Sequence, residues 1–306
     1  MKSKLKYLLL LLILNTIEAS FRCDYKYSFK AHAWFKSVVV PATWFDARLR
    51  CSLEGAVLAS PTTPEILAEM RNLMNHSNPE FEIFTGIHAT VSQGDFYTIE
   101  GIPLSNIPVP WADNEPNNED NKESCITLNG NGELADRQCQ ETRPYVCYRM
   151  KTFKEEIKDC GTVDLEYNLD ARTNKCYKFH TVPRNFSRAF LACSAEGGHL
   201  AIINSETEAT VLKEIFAKYP EADLVGNFRK DGAFIGFHDW SESWDWRTIH
   251  GQTLTDAGYS KFRGNPASGQ SCGAIDRNAR LDDWWCDATI PFICEKTPDF
   301  PAKCFD

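Results

Sequence analysis

Apolar positions in the first half of the chain follow helical spacing in two stretches and form short strand-like runs in two others. Residues 43–54 (TWFDARLRCSLE) and 63–75 (TPEILAEMRNLMN) place apolar side chains three and four positions apart, which predicts two helices. Each stretch begins with a threonine, a residue suited to capping a helix amino terminus. The runs at 55–60 (GAVLAS) and 82–90 (EIFTGIHAT) predict strands.

The periodicity is lost from Gly101 to Lys122, where prolines and asparagines dominate. The next stretch, CITLNGNGELADRQC (125–139), predicts a strand, a turn and a strand, with its two cysteines facing one another. Two helices followed by a long irregular loop and an antiparallel sheet predict an α+β domain. A loop of this length is either functional or disordered, and a disulfide at each end argues against disorder.

The second half of the chain repeats the first. PATWFDARLRCSLEGAVLAS (41–60) and PRNFSRAFLACSAEGGHLAI (183–202) share Pro, Ala, Cys, Glu-Gly and Leu-Ala in register. Three later cysteines recur in the same order 147 positions further on, namely Cys125, Cys139 and Cys147 as Cys272, Cys286 and Cys294. The sequence therefore predicts two tandem domains, 21–150 and 160–298, with a charged linker at 151–159 and a tail at 299–306.

The first twenty residues (1–20) have the features of a secretory signal peptide: three lysines, then an apolar run, then small residues at Ala19 and Ser20. The apolar run is shorter than the ~20 residues that span a bilayer, and no later stretch approaches that length. We therefore expect a secreted, extracellular protein without a transmembrane segment. The sequons at Asn75 (NHS) and Asn185 (NFS) predict N-glycosylation.

Charge and cysteine content narrow the class of protein further. The formal net charge is −9 and there is no basic block, which argues against nucleic acid as a partner. All 12 cysteines follow the predicted signal peptide, and an even number in an oxidising compartment predicts a framework of disulfides.

Together, four features make the repeated unit resemble a C-type lectin-like domain. They are the order of four cysteines, the FTGI and FIGF strands, the EPN tripeptide (115–117), and the terminal PYVC and PFIC. The tandem arrangement resembles the immulectins and lipopolysaccharide-binding lectins of insect haemolymph. The resemblance implies disulfides within the domains: Cys51–Cys147, Cys125–Cys139, Cys160–Cys176, Cys193–Cys294 and Cys272–Cys286. It leaves Cys23 and Cys304, for which we predict a bond between the chain ends, with an intermolecular bond as the alternative.

The resemblance also implies a calcium site in the first domain that binds sugar through the same residues, Glu115, Asn117, Glu123 and Asp136. These side chains supply the hard oxygen ligands that calcium prefers. In the family, Glu before Asn favours mannose-type glycans, and we expect Pro116 to follow a cis peptide bond. The fifth family position, normally Asn, is Ala135 here, so calcium and sugar should both bind more weakly.

The corresponding loop of the second domain, GNPASGQSC (264–272), is three residues shorter and has lost more of the pattern. Its weak candidates for metal or sugar binding are Asn265, Gln270, Asp282 and Asp283. The five tryptophans of this domain at 240, 244, 246, 284 and 285 are expected to lie mostly in the core, although stacking on sugar rings is the alternative.

Other interpretations of these stretches fit less well. The acidic loop is not an EF-hand, because the sixth position counted from Asp113 is Asn118 rather than glycine. GQSCG (269–273) matches the G-x-S-x-G nucleophile motif of hydrolases, but in the resemblance its Cys272 is committed to a disulfide, so we do not expect an enzyme. The expected function is calcium-dependent recognition of microbial polysaccharide or lipopolysaccharide in innate immunity. The alternative is a module that binds haemolymph proteins and regulates a protease cascade.

Overall fold

The structure is a computed structural model that describes residues 22–74, 81–92, 94–151, 159–162, 164–239, 244–267 and 269–298. The predicted signal peptide, Asn75, Cys304 and most of the predicted linker lie outside these residues. Within them, no helix is both long and apolar enough to cross a bilayer.

The first half of the chain forms one mixed unit of helices and strands. Its elements are β1 (Lys26–Ser28), β2 (Ala33–Ala42), α1 (Trp44–Leu53), β3 (Val57–Leu58), α2 (Pro64–Leu73), β4 (Ile83–His88), β5 (Tyr97–Thr98), β6 (Glu123–Leu128), β7 (Leu134–Gln138) and β8 (Arg143–Met150). Two short 3-10 helices, Leu104–Asn106 and Glu119–Asn121, interrupt the long loop between β5 and β6.

The second half forms a unit of the same kind. Its elements are β9 (Asn168–Asp170), β10 (Lys175–Arg184), α3 (Phe186–Ala195), β11 (His199–Leu200), α4 (Glu206–Ala217), β12 (Gly232–His238), β13 (Arg247–Thr248), α5 (Leu254–Ala257), β14 (Cys272–Asp276), β15 (Leu281–Trp284) and β16 (Ile290–Lys296).

Each half contains one eight-stranded sheet, and the two sheets have equivalent strand orders. The first sheet runs β1-β2-β8-β4-β6-β7 and the second runs β9-β10-β16-β12-β14-β15. The central pairs β4–β8 and β12–β16 are parallel, whereas the other pairs are antiparallel. The duplication in sequence is therefore a duplication of topology.

The helices begin where the sequence predicts them. The hydroxyl of Thr43 accepts a hydrogen bond from the backbone N–H of Asp46 at the start of α1, and Thr63 does the same for Ile66 in α2. The side chain of Trp44 is almost fully buried, and its indole N–H donates to the carbonyl of Thr85 in β4 at 2.8 Å. This contact fixes α1 against the sheet.

Five disulfides join elements within the two units, and their pairings are those that the resemblance implies. Cys51–Cys147 joins α1 to β8, and Cys125–Cys139 closes the β6–β7 hairpin. The second unit contains the equivalent pairs and one further bridge near its start, namely Cys193–Cys294, Cys272–Cys286 and Cys160–Cys176. Cys23 is disulfide-bonded, but Cys304 lies outside the described residues, so the Cys23–Cys304 bond stays a prediction.

The α+β class and the element types predicted from the sequence are confirmed. The predicted strand at 55–60 is shorter than expected, because only Val57 and Leu58 pair with β8. Strands β2 and β8 were not predicted from periodicity, although β2–β8 is the longest pairing of the first sheet. Buried and exposed positions do not alternate along β8, which is buried on both faces over residues 145–148.

Candidate functional site

The loop that precedes β6 adopts a backbone that suits its asparagine-rich sequence. Four of its residues, Asn114, Asn118, Asp120 and Asn121, have φ between 46° and 63°, in the left-handed region. Asn and Asp tolerate this region better than other residues with a side chain. The bond between Glu115 and Pro116 is cis, as predicted. The loop is thus an ordered, tightly folded segment.

Asp136 fixes this loop from the neighbouring strand. It lies in β7, is almost fully buried, and accepts hydrogen bonds through both carboxylate oxygens. One oxygen takes the backbone N–H of Asn117 at 3.0 Å and the other takes that of Asn118 at 2.9 Å. Charge-assisted bonds of this kind are about twice as strong as neutral ones. The carboxylate therefore positions the EPN tripeptide.

Glu123 enters the same cluster from the first residue of β6. The pairing of β6 with β7 shifts register between Glu123 and Cys125, and such a bulge re-aims the side chain beside it. Glu123 is buried, and its carboxylate accepts the backbone N–H of Glu119 at 2.8 Å. Burial raises its pKa, which the bond from Glu119 partly offsets, and the charge of Asp136 raises it further.

Glu115 completes a cluster of three carboxylates. One oxygen from each of Glu115, Glu123 and Asp136 lies within 4.8 Å of the others. The amide of Asn117 donates to Glu115 at 3.0 Å. Burial raises the pKa of Glu115, and the hydrogen bond with Asp136 adds to that effect, while Arg137 opposes it. Oxygens gathered this closely at a cost in charge repulsion fit a hard divalent cation such as calcium.

Arg137 is a member of this site that sequence reasoning missed. Its guanidinium donates to Glu115 at 2.7 Å and to the backbone carbonyl of Asp136 at 2.8 Å. On its other side it forms two bonds with Glu82, at 2.7 and 3.1 Å. The signal available in the sequence was that a basic residue directly follows a predicted ligand, Asp136. The direction in which its side chain points could not be predicted from the sequence.

Ala135 lies in β7 at the position where the resemblance calls for asparagine. It is buried, and its carbonyl accepts the hydroxyl of Thr127 at 3.3 Å. Its methyl side chain offers no ligand atom. The residues of the first unit therefore supply three carboxylates and one amide rather than the full family set.

The second unit preserves the anchoring bond but not the cluster. Asp283 accepts the backbone N–H of Ala267 at 2.6 Å, in the manner of Asp136. Asp282 lies 3.4 Å from the guanidinium of Arg263, and its carboxylate accepts the indole N–H of Trp284 at 3.3 Å. Burial raises the pKa of Asp282. Among the described residues, the weak candidates Asn265, Gln270, Asp282 and Asp283 belong to no carboxylate cluster like that of the first unit.

The tryptophans of the second unit divide between core and surface. Trp284 is buried and Trp246 packs against the core, whereas Trp244 and Trp285 are more than half exposed. Trp240 lies outside the described residues. Trp244, Trp246 and Gln270 line a small cavity of about 80 Å³. The hydrolase-like GQSCG motif lies beside it, and its Cys272 is bonded to Cys286, as the resemblance implies.

The model of the lectin C-type domain matches the chain twice, over residues 40–149 and 182–296. The chain belongs to the C-type lectin domain family. Domains of this family are carbohydrate-binding modules, and the two matched segments correspond to the two sheets. The matches span most of the chain and confirm the tandem arrangement expected from the internal repeat.

Individual relatives of this tandem C-type lectin include a haemolymph protein. A haemolymph lipopolysaccharide-binding protein of Periplaneta americana is 36% identical over 124 residues, which is 39% of this chain and 48% of that protein. C-type mannose receptor 2 of Homo sapiens is 22% identical over 271 residues, 83% of this chain and 17% of the receptor. The chain thus spans less than half the length of either relative.

Solved structures of the family also match. The carbohydrate-recognition domain of the mouse scavenger receptor C-type lectin is 23% identical and aligns with a TM-score of 0.36, covering 44% of this chain and 97% of that domain.

Proposed function

We propose that the chain is a secreted, calcium-dependent lectin whose first domain (21–150) binds mannose-type glycans. The observation that carries the proposal is the cluster formed by Glu115, Glu123 and Asp136, three carboxylates held within 4.8 Å of one another. Glu123 and Asp136 are buried beside Glu115, and burying charged groups costs free energy unless a partner compensates them. A divalent cation would offset the repulsion among the three carboxylates, so this set of oxygen ligands fits calcium.

The side chains of the site suit recognition of sugar hydroxyls. Bound calcium would supply a centre that two neighbouring hydroxyls can coordinate. The carboxylates of Glu115 and Glu123 would accept hydrogen bonds from those hydroxyls, and the amide of Asn117 would donate one. That amide donates to Glu115 at 3.0 Å, which keeps both groups on the same side of the loop.

The proposed ligands are microbial polysaccharide or lipopolysaccharide, recognised as part of innate immunity. Support comes from the haemolymph lipopolysaccharide-binding relative, which shares 36% identity over 124 residues. We propose that Asn185 carries a glycan. The side-chain oxygen of Asn185 accepts the N–H of Arg188 at the start of α3, which leaves its amide nitrogen available.

Retention on immobilised mannan tests this proposal. The full chain should bind in millimolar calcium and elute with EDTA. Failure to bind with calcium present would contradict the lectin proposal and favour a module that binds haemolymph proteins instead. Asp283→Ala is the matched control, because it removes the equivalent loop anchor from the second domain and should leave elution unchanged.

Specificity has its own test. The double variant Glu115→Gln with Asn117→Asp exchanges the acceptor and donor at two positions while keeping their size. We expect retention to move from mannose to galactose resin. A variant that loses mannose without gaining galactose, yet still binds calcium, would show that other residues set the specificity.

A further inference from the structure

Arg137 places a positive charge beside the cluster proposed to bind calcium. Its Nη1 donates to Oε1 of Glu115 at 2.7 Å and to the carbonyl of Asp136 at 2.8 Å. Both residues belong to the proposed ligand set. The side chain of Arg137 is only 22% exposed, so solvent screens this charge less than it would on an open surface.

The guanidinium is held in this position from its other side. Glu82, only 12% exposed, bonds Arg137 through both oxygens and lies 3.2 Å from Arg143. Arg143 in turn pairs with Glu141 at 2.6 Å. Charges of alternating sign therefore run from the cluster to the start of β8. Arg137 is a fixed charge rather than a mobile surface arginine.

From this geometry we infer that Arg137 is an internal cation that competes with calcium for Glu115 and so sets the calcium affinity of the first domain. The inference rests on the proposed function. A carboxylate oxygen shared with a guanidinium is a poorer ligand, and two cations at one cluster repel each other. Arginine remains charged at any physiological pH, so this competition persists across that range.

The contact between Arg137 and Glu115, which should weaken calcium binding, should stabilise the domain when no calcium is bound. Without a metal, the three carboxylates repel one another, and Arg137 compensates part of their charge. Removing the guanidinium should therefore destabilise the metal-free domain and favour the calcium-bound domain. A residue with a merely structural role would destabilise both.

Calcium titration of the full chain by calorimetry, together with thermal unfolding in EDTA and in calcium, tests this inference. In Arg137→Met we expect calcium to bind about tenfold more tightly, the lower end of what screened repulsion between neighbouring charges produces. Unfolding in EDTA should occur at a lower temperature than in the wild type, and the gain on adding calcium should be larger. Arg137→Gln provides a second, polar variant should the methionine protein fold poorly.

Arg143→Met is the matched control, since Arg143 also pairs with Glu82 but has Glu141 rather than Glu115 as its second carboxylate partner among the described residues. Its calcium affinity should equal that of the wild type. Equal or weaker binding by the Arg137 variants, with the wild type binding calcium, overturns this inference alone. Absence of calcium binding by the wild type and the variants alike overturns the proposed function as well.

Discussion

The loops before β6 and β14 are anchored in the same way but carry different chemistry. In the first domain, Asp136 accepts backbone N–H groups of Asn117 and Asn118. In the second, Asp283 accepts the N–H of Ala267. A buried aspartate on the neighbouring strand therefore holds the loop in both domains, whether or not the loop supplies metal ligands.

The ligand atoms are what differ between the two loops. Glu115 and Glu123 have Asn265 and Gln270 as their counterparts, so two charged ligands become neutral ones. A buried anchoring aspartate therefore occurs both with and without charged side chains at the proposed ligand positions, although Asp136 is proposed to be anchor and ligand at once. The calcium proposal rests on the carboxylate cluster and not on the anchoring aspartate.

The largest effect on calcium affinity is expected from removing the anchoring aspartate of the first domain, with the equivalent change in the second domain as its comparison. Asp136→Ala deletes a proposed ligand and releases two backbone N–H groups, so we expect calcium affinity to fall by more than about 100-fold. Asp283→Ala should leave the calcium titration unchanged and lower only the thermal stability of the second domain. Loss of calcium binding in the Asp283 variant would place a calcium site in the second domain and contradict the expected difference between the two loops.

A buried network near β2 and β10, in contrast, is the same in both domains. The carboxylate of Glu54 accepts the hydroxyl of Tyr25 at 2.7 Å and pairs with Lys36 at 2.8 Å. In the second domain the carboxylate of Glu196 does the same with its own tyrosine and lysine, Tyr167 and Lys178, at 2.8 and 2.9 Å. This network has kept its residues while the ligand loops diverged, which assigns it to stability.

Substitution of the carboxylate tests that assignment. Glu54→Gln and Glu196→Gln should each lower the free energy of unfolding by about 2 kcal/mol, because each removes the buried carboxylate partner of a lysine that keeps only more exposed partners such as Asp24 or Asp164. Calorimetry at pH 7 would measure the change, and calcium affinity should be unaffected. A normal stability with reduced calcium binding would instead connect the network to the site.

The contribution of Glu196 should also depend on pH. Burial acts to raise its pKa, but hydrogen bonds and charge from His180 and Lys178 outweigh burial and hold the pKa below its usual value of 4.5. The stabilisation is therefore present above pH 4.5 and is lost as the pH falls through the lowered pKa. The difference in stability between wild type and Glu196→Gln should shrink in acid, and a difference that grows there would contradict this account.

Much of the fold could be predicted from the sequence, because local patterns encode it. The α1 and α2 helices, their threonine caps and the β6–β7 hairpin follow from periodicity and turn residues. The buried network was missed, although its tyrosine, lysine and glutamate recur at a constant spacing of 142 positions. That spacing was the signal that could have revealed it.

The site was predicted only in part, for physical reasons. Its proposed ligands could be named because the family motif occurs in the loop and in β7. The contact between Arg137 and Glu115 joins residues 22 positions apart, and Glu82 lies 55 positions from Arg137. No periodicity in the sequence encodes such contacts, because only the tertiary fold brings these separate segments together.

The smallest expected effect comes from restoring the missing family residue. Ala135→Asn supplies one amide oxygen, so we expect calcium to bind several-fold more tightly, the equivalent of about 1 kcal/mol. The resemblance implies that the residue at 135 belongs to the calcium site, and in β7 it adjoins Asp136 and lies two positions from Arg137. The guanidinium of Arg137 and a new amide at 135 would therefore meet at the same cluster.

The gain in calcium affinity from Ala135→Asn should be larger in the Arg137→Met background, and a double-mutant cycle in calcium affinity measures that coupling. Strict additivity would show that the two positions act independently on calcium affinity and would contradict their meeting at one cluster.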